Sequence, residues 1–106
     1  MMEIVLIDMF KVPSEAREIF LERARQVQGF IKTLPGFVEG FLYEQRDATG
    51  SQHQVLTIAV WETEEAFENA KRTVGARDQQ QGINRQEAIK QLGIELTRAI
   101  YTRAPY

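Results

Sequence analysis

The sequence has no cysteine and a single histidine, His53. Without cysteine there are no disulfides, no thiolate metal ligands and no cysteine nucleophile. The lone histidine leaves little room for imidazole chemistry, and no Ser-His-Asp arrangement is apparent. A Gly-rich phosphate loop and regular metal-ligand spacing are also missing. We therefore expect neither a metal nor a nucleotide cofactor.

Clustered basic residues and long apolar runs are absent as well. Thirteen Lys and Arg residues are scattered among fifteen Asp and Glu residues, for a net charge of −2. Nucleic-acid binding usually needs a basic face. No apolar run approaches the roughly 20 residues that span a bilayer, and the first four residues lack the basic region of a signal peptide. These features predict a cytoplasmic protein that binds neither nucleic acid nor membranes.

The length and composition are those of one small globular domain. The chain has 106 residues, of which 43% are hydrophobic and 26% are charged. This length fits a single domain over residues 1–106. A chain of this size buries only roughly 65% of its unfolded surface, so its stability is modest. Dimerisation is a common remedy for so small a core.

The first third of the sequence predicts a strand followed by a helix. Residues 3–12 are rich in strand-forming types and apolar on both faces, apart from Asp8. Ser14 is a predicted N-cap. The apolar stripe of the helix repeats every three or four residues, and Gln28 falls largely off it. The stripe consists of Ala16, Phe20, Ala24, Val27, Ile31 and Leu34.

Two strands follow the Pro35-Gly36 helix stop. The first covers residues 37–46, with Phe37, Phe41 and Tyr43 on one face. A hairpin turn is predicted at residues 47–51. The next strand, residues 54–61, is apolar or neutral on both faces, so both faces must be covered.

The last third predicts helices and a final strand. Thr63 is a predicted cap of a helix that carries Phe67. The polar segment 75–82, which includes Gln79 to Gln81, predicts an irregular connection. Asn84 and Glu87 have capping-box spacing for a helix to about residue 91. Residues 94–102 are the predicted last strand.

This order of elements is the ferredoxin-like βαββαβ pattern of an α+β protein with an antiparallel sheet. Helices would cover one face of that sheet. A second subunit would most simply cover the other face, which predicts a homodimer.

Three segments resemble the antibiotic biosynthesis monooxygenase domain, and the resemblance extends over residues 3–102. They are Leu34-Pro35-Gly36-Phe37, Tyr43-Glu44-Gln45-Arg46 and Val60-Trp61-Glu62-Thr63-Glu64-Glu65-Ala66-Phe67. The resemblance implies a dimeric α+β barrel with a ligand cleft between the sheet and the helices of each subunit. Some members of the family oxygenate aromatic polyketides without metal or flavin. Others degrade haem or handle quinone-like molecules.

The chain departs from the residue patterns of both activities. Polyketide-oxidising members carry an asparagine four residues before the strand-end tryptophan, where this chain has Thr57. Haem-degrading members carry an asparagine, a tryptophan and a histidine at positions that correspond approximately to Asp8, Ala70 and Gln80. Haem ligation by histidine is therefore not expected.

Asp8 and Trp61 are the predicted catalytic residues. An unpaired carboxylate among apolar neighbours is costly to bury. If Asp8 faces the cleft, it would act as a base on a phenolic or quinol proton. The alternative is an ion pair with a lysine or arginine, or exposure at the rim of the sheet. Trp61 would stack on a planar ligand, or it would anchor the core or an interface.

The predicted substrate-binding residues combine polar and apolar side chains. Tyr43, Thr57 and Arg98 would contact a ligand oxygen, with cross-strand packing as the alternative for Tyr43. Phe10 and Phe67 would line an apolar wall, although such residues also form cores. His53 is predicted in a solvated turn.

Two functions are consistent with these residues. The first is cofactor-independent oxidation of a small aromatic or quinol-like compound by a monooxygenase. The second is a non-catalytic dimeric barrel that binds a small apolar or aromatic ligand or serves in a stress response. The missing asparagine and histidine favour the second.

Overall fold

Four strands and three helices make up the fold of the residues that the structure describes. The structure, a computed structural model, describes residues 2–46, 50 and 52–105. In chain order the elements are β1 (Ile4–Pro13), a 3-10 turn (Ser14–Ala16), α1 (Arg17–Ile31), β2 (Phe37–Glu44), β3 (Gln52–Trp61), α2 (Glu64–Gln80), α3 (Arg85–Gln91) and β4 (Glu95–Thr102). The strands form one antiparallel sheet in the order β2-β3-β1-β4. The predicted ferredoxin-like α+β fold is confirmed. The hairpin turn predicted at residues 47–51 lies largely outside the described residues.

The sheet has a helix face and an open face. Even-numbered residues of β1 point towards the helices, because successive side chains alternate across a strand. Two apolar clusters form on this helix face. The first contains Phe10, Val12, Ala16, Phe20, Leu21, Val55 and Ile94. The second contains Ile4, Ile31, Ala59, Trp61, Phe67 and Ala70.

The open face also carries apolar residues, and none of the helices among the described residues covers it. Phe41, Tyr43 and Tyr101 lie on it with 37%, 51% and 50% of their surface exposed. Val5 and Ile7 of β1 lie between these residues in the register of the sheet. The two central strands, β1 and β3, are therefore mainly apolar on both faces. Cover by a second subunit stays a prediction.

A β-bulge in β2 corrects the predicted faces of that strand. The register shifts between Phe37 and Glu39, so Phe37 lies opposite Trp61 on the helix face. The rings of Phe37 and Trp61 meet edge to face, with centroids 5.5 Å apart. Phe41 and Tyr43 lie on the open face. The prediction that all three aromatic residues share a face was wrong, because one extra residue in a strand reverses every side chain beyond it.

Two of the three predicted helix caps are confirmed. The Thr63 side chain accepts a hydrogen bond from the Ala66 backbone N–H at 3.1 Å, and the Asn84 side chain accepts one from Glu87 at 3.1 Å. Ser14 does not cap α1. It begins the 3-10 turn, and α1 follows with no side-chain cap hydrogen bond.

The segment predicted as an irregular connection is mostly helical. Helix α2 runs through Gly75 to Gln80. Glutamine is a good helix former, so a polar composition does not by itself end a helix. Contacts with α1 and α3 also stabilise the last turns of α2. Asp78 is 8% exposed and is bound by Arg85 of α3, and the Arg77 guanidinium lies 4.5 Å from the centre of the Phe30 ring.

Candidate functional site

An ion pair on the helix face joins a buried carboxylate, that of Asp8, to the guanidinium of Arg98, whose side chain is 53% exposed. Asp8 is 6% exposed. The Arg98 guanidinium of β4 donates two hydrogen bonds to it, from Nε to Oδ1 at 2.7 Å and from Nη2 to Oδ2 at 2.9 Å. The hydrogen bond to Asp8 is the main reason why the pKa of Arg98 is raised. The ion pair considered as the alternative for Asp8 is thus present. The role of Asp8 as a base stays a prediction.

The register of the sheet places Thr57 beside this pair. Asp8 lies directly opposite Thr57 of β3 on one side and opposite Arg98 of β4 on the other. Leu42 of β2 continues the row beyond Thr57. Opposed residues in antiparallel strands have side chains on the same face, about 5 Å apart. Three of the predicted site residues are therefore brought together.

Thr57, Asp8 and Arg98 form a polar row that interrupts the apolar core. Along β1, Leu6 packs against the second apolar cluster and Phe10 belongs to the first. Asp8 lies between them on the same face. Phe10 packs against Phe20 with ring centroids 4.7 Å apart, and Phe67 is 3% exposed. Both predicted wall residues are therefore core residues that flank the polar row from opposite sides.

Trp61 is a core residue in this structure. It is 2% exposed and packs edge to face on Phe37 in the second cluster. It lies on the helix face, two register pairs away from Asp8 and Thr57. This is the arrangement of the core anchor considered as its alternative role. A role in ligand stacking stays a prediction.

Tyr43 is separated from the other candidate residues by the sheet. It lies on the open face, stacks with Phe41 at a centroid distance of 5.8 Å and is 51% exposed. A hollow of about 240 Å³ lies there, lined by Tyr43, Glu44, Gln45, Gln54 and Leu56. His53 is a half-buried residue of β3 and does not lie in a turn as predicted.

Gln28 is a helix-face residue that the sequence analysis missed. Its Oε1 is buried and has no hydrogen-bond partner among the described residues. It lies over Gly40 of β2, where an added Cβ would be 2.6 Å from this oxygen. An unsatisfied buried acceptor costs about 1–3 kcal/mol. A glycine inside a strand often marks a close approach, and Gly40 was the available signal.

Within residues 2–46, 50 and 52–105, no group of three or more His, Cys, Asp or Glu residues is arranged to hold a metal ion. No helix in the same ranges is long and apolar enough to cross a membrane.

The family model for the antibiotic biosynthesis monooxygenase domain matches residues 3–82, well over half of the chain. The chain belongs to the antibiotic biosynthesis monooxygenase family. No curated protein matches its sequence. The matched segment includes Asp8, Thr57 and Trp61 but ends before Arg98.

Solved structures share the fold of this family member. A variant of SnoaB, a cofactor-independent oxygenase from Streptomyces nogalater, is 24% identical with a TM-score of 0.72, covering 98% of this chain and 95% of that one. A conserved protein from Methanosarcina mazei Go1 is 15% identical with a TM-score of 0.76, covering 98% and 95%. A dimeric ferredoxin-like protein from an uncultured marine organism is 9% identical with a TM-score of 0.71, covering 100% and 99%.

Proposed function

We propose that this family member is a cofactor-independent monooxygenase that oxidises a small aromatic or quinol-like compound and works as a homodimer in the cytoplasm. One observation supports the proposal above the others. A carboxylate, a guanidinium and a hydroxyl, from Asp8, Arg98 and Thr57, form a row on the helix face between two apolar clusters. An apolar site with a few convergent polar groups is typical of small-molecule binding.

The reaction needs no external reductant when the substrate carries an activated methylene group. Removal of one proton gives a carbanion, which transfers electrons to dioxygen and forms a carbon–oxygen bond as a peroxide. Loss of water from the peroxide leaves a carbonyl group. One CH₂ group and one O₂ thus give one C=O group and one H₂O. The substrate supplies all the electrons.

Each residue of the polar row has a role in this chemistry. Asp8 receives the substrate proton, because each oxygen of a carboxylate has a second lone pair beyond the one that Arg98 uses. The remaining N–H groups of Arg98 stabilise negative charge on the substrate oxygen. Thr57 fixes that oxygen with its hydroxyl. Phe10 and Phe67 keep the site apolar, which strengthens these electrostatic interactions.

Oxygen consumption tests the proposal. We expect uptake with members of a panel of anthrones and quinols. The Asp8→Asn variant should lower the rate by about 10²–10⁴-fold, the usual contribution of a positioned base. Asp78→Asn is a matched control, because Asp78 is also buried and bound by two hydrogen bonds from an arginine. Equal rates for wild type and Asp8→Asn would rule out the proposed base.

A second function is favoured by a specific observation. Both Asp8 oxygens are already bound by Arg98, and Trp61 is buried against Phe37. This arrangement fits a non-catalytic barrel that binds a ligand without converting it. For such a protein, addition of a ligand would quench the fluorescence of Trp61. No compound of the panel would cause oxygen consumption. A shifted Soret band on titration with haem would instead indicate haem binding.

A further inference from the structure

We propose that Gln28 is a ligand-positioning residue of the helix-face site. In the free protein its side chain fills a niche above Gly40. On binding it turns to accept a hydrogen bond from a hydroxyl group of a planar aromatic ligand. The inference rests on the proposed function only in taking an aromatic compound as the ligand.

The niche is formed by the absence of a side chain at Gly40. A Cβ at this position would lie 2.6 Å from Gln28 Oε1, 3.1 Å from Phe37 Cζ and 3.3 Å from the Ile58 carbonyl oxygen. A side chain at this position would therefore displace the Gln28 amide from its place above the sheet. Glycine therefore permits Gln28 of α1 to reach the sheet, where a larger residue would exclude it.

Burial of the Gln28 side-chain oxygen without a hydrogen bond costs folding free energy. Its oxygen is buried against the sheet without a donor among the described residues. Buried polar atoms in proteins are nearly always hydrogen-bonded, so an exception calls for an explanation. A packing role alone would be better served by leucine or methionine. The amide is explained if its partner is a ligand.

The position of Gln28 links the niche to the polar row. Gly40 lies opposite Ala59, one register pair along the helix face from Leu42 and Thr57. Phe37, which borders the niche, also contacts Trp61. A flat ring that enters over Gly40 would thus meet the Gln28 amide at one edge and approach Thr57 and Asp8 at the other. Trp61, the only tryptophan, would report its arrival.

Two non-oxidisable probes test the inference by binding alone. The first is 2,6-dihydroxyanthraquinone and the second is anthraquinone, which lacks the hydroxyl groups. Quenching of Trp61 fluorescence gives the affinity of each. In wild type the dihydroxy probe should bind about tenfold more tightly, the value of one well-formed hydrogen bond to a buried acceptor. The Gln28→Leu variant should lose this preference and melt about 4 °C higher without ligand.

Controls separate this inference from a purely structural role and from the proposed reaction. Gln26→Leu changes an exposed glutamine of the same helix and should keep the preference. Gln28→Met is the second variant should Gln28→Leu fail to fold. An unchanged preference in the folded variant, or no quenching of wild type by either probe, would overturn the inference. Oxygen uptake is not used, so failure of the monooxygenase proposal would be seen separately.

Discussion

The ion pair between Arg17 and Glu44 fastens α1 to the end of β2. Arg17 donates from Nε to Glu44 Oε2 at 2.7 Å and from Nη2 to Oε1 at 2.8 Å. These hydrogen bonds are the main reason why the pKa of Glu44 is lowered and that of Arg17 is raised. Two parallel bonds make this arrangement more specific than an ordinary surface ion pair.

The pair predicts a pH dependence of stability. The pKa of Glu44 is lower in the folded than in the unfolded state. The contribution of ionised Glu44 to stability is therefore fully present above the unfolded pKa. It is lost as pH falls through the folded value. Urea unfolding between about pH 6 and about pH 2.5 should therefore show a larger loss of stability for wild type than for Glu44→Gln. Parallel losses in the two proteins would contradict the prediction.

Glu68→Gln is the matched control for this measurement. It removes a carboxylate that Lys71 of the same helix contacts at longer distances, with Nζ 3.4 Å from Oε2 and 3.5 Å from Oε1, and this contact joins no two elements. Its effect on the pH profile should be smaller. The difference between wild type and Glu44→Gln should also shrink in high salt, because both partners are partly exposed.

At the scale of the elements, α2 and α3 begin with a side-chain cap hydrogen bond, whereas α1 begins without one. Thr63→Ala and Asn84→Ala should each lower the free energy of unfolding by about 1 kcal/mol, because each removes a hydrogen bond to a free backbone N–H. Ser14→Ala should change it by less than about 0.5 kcal/mol, since Ser14 makes no cap bond. Urea titration measures all three. A loss at Ser14 equal to that at Thr63 would contradict the assigned helix starts.

The course of α2 through residues 75–80 has its own test. Gly75 lies inside this helix, and an added Cβ there meets no atom within 4 Å. Gly75→Ala should therefore stabilise the protein by about 1 kcal/mol, by lowering the entropy of the unfolded chain. Gly82→Ala is the control and should destabilise it, because Gly82 has a φ of +69°. No gain at Gly75 in thermal unfolding would indicate that the segment is not helical.

At the scale of the whole molecule, no described part of the chain covers the open face of the sheet. Apolar side chains there include Phe41 and Tyr101 at the surface and Ile58 between them. A continuous apolar patch usually marks an interaction surface. We expect light scattering at micromolar concentration to give twice the mass of one chain. A stable monomer would contradict this expectation.

Charge on the open face should abolish the dimer. Phe41→Asp would bury an unpaired carboxylate in the interface, so we expect the mass of a single chain from this variant. Ile19→Asp is a suitable control, because Ile19 is 45% exposed on α1 and lies on no strand. It should remain dimeric. A dimeric Phe41→Asp variant would place the interface elsewhere.

Local patterns sufficed for the order of the elements and for part of the site. Runs of strand-forming, mostly apolar residues predicted the strands, and the helical stripe predicted α1. The caps at Thr63 and Asn84 were predictable because a cap depends on residues three positions apart. Asp8 could be selected as unusual, since a charged residue within an apolar strand needs a partner wherever it lies.

The sequence by itself determined which residues needed partners, and only the tertiary structure decided which partners they found. Arg98 is 90 residues away from Asp8, and the β1–β4 register brings the two together. One bulge sends Tyr43 to the open face and turns Phe37 towards Trp61. The contact of Gln28 with Gly40 likewise exists only after α1 packs on β2. Periodicity reports a residue's own element, whereas register, bulges and helix packing depend on contacts between distant parts of the chain.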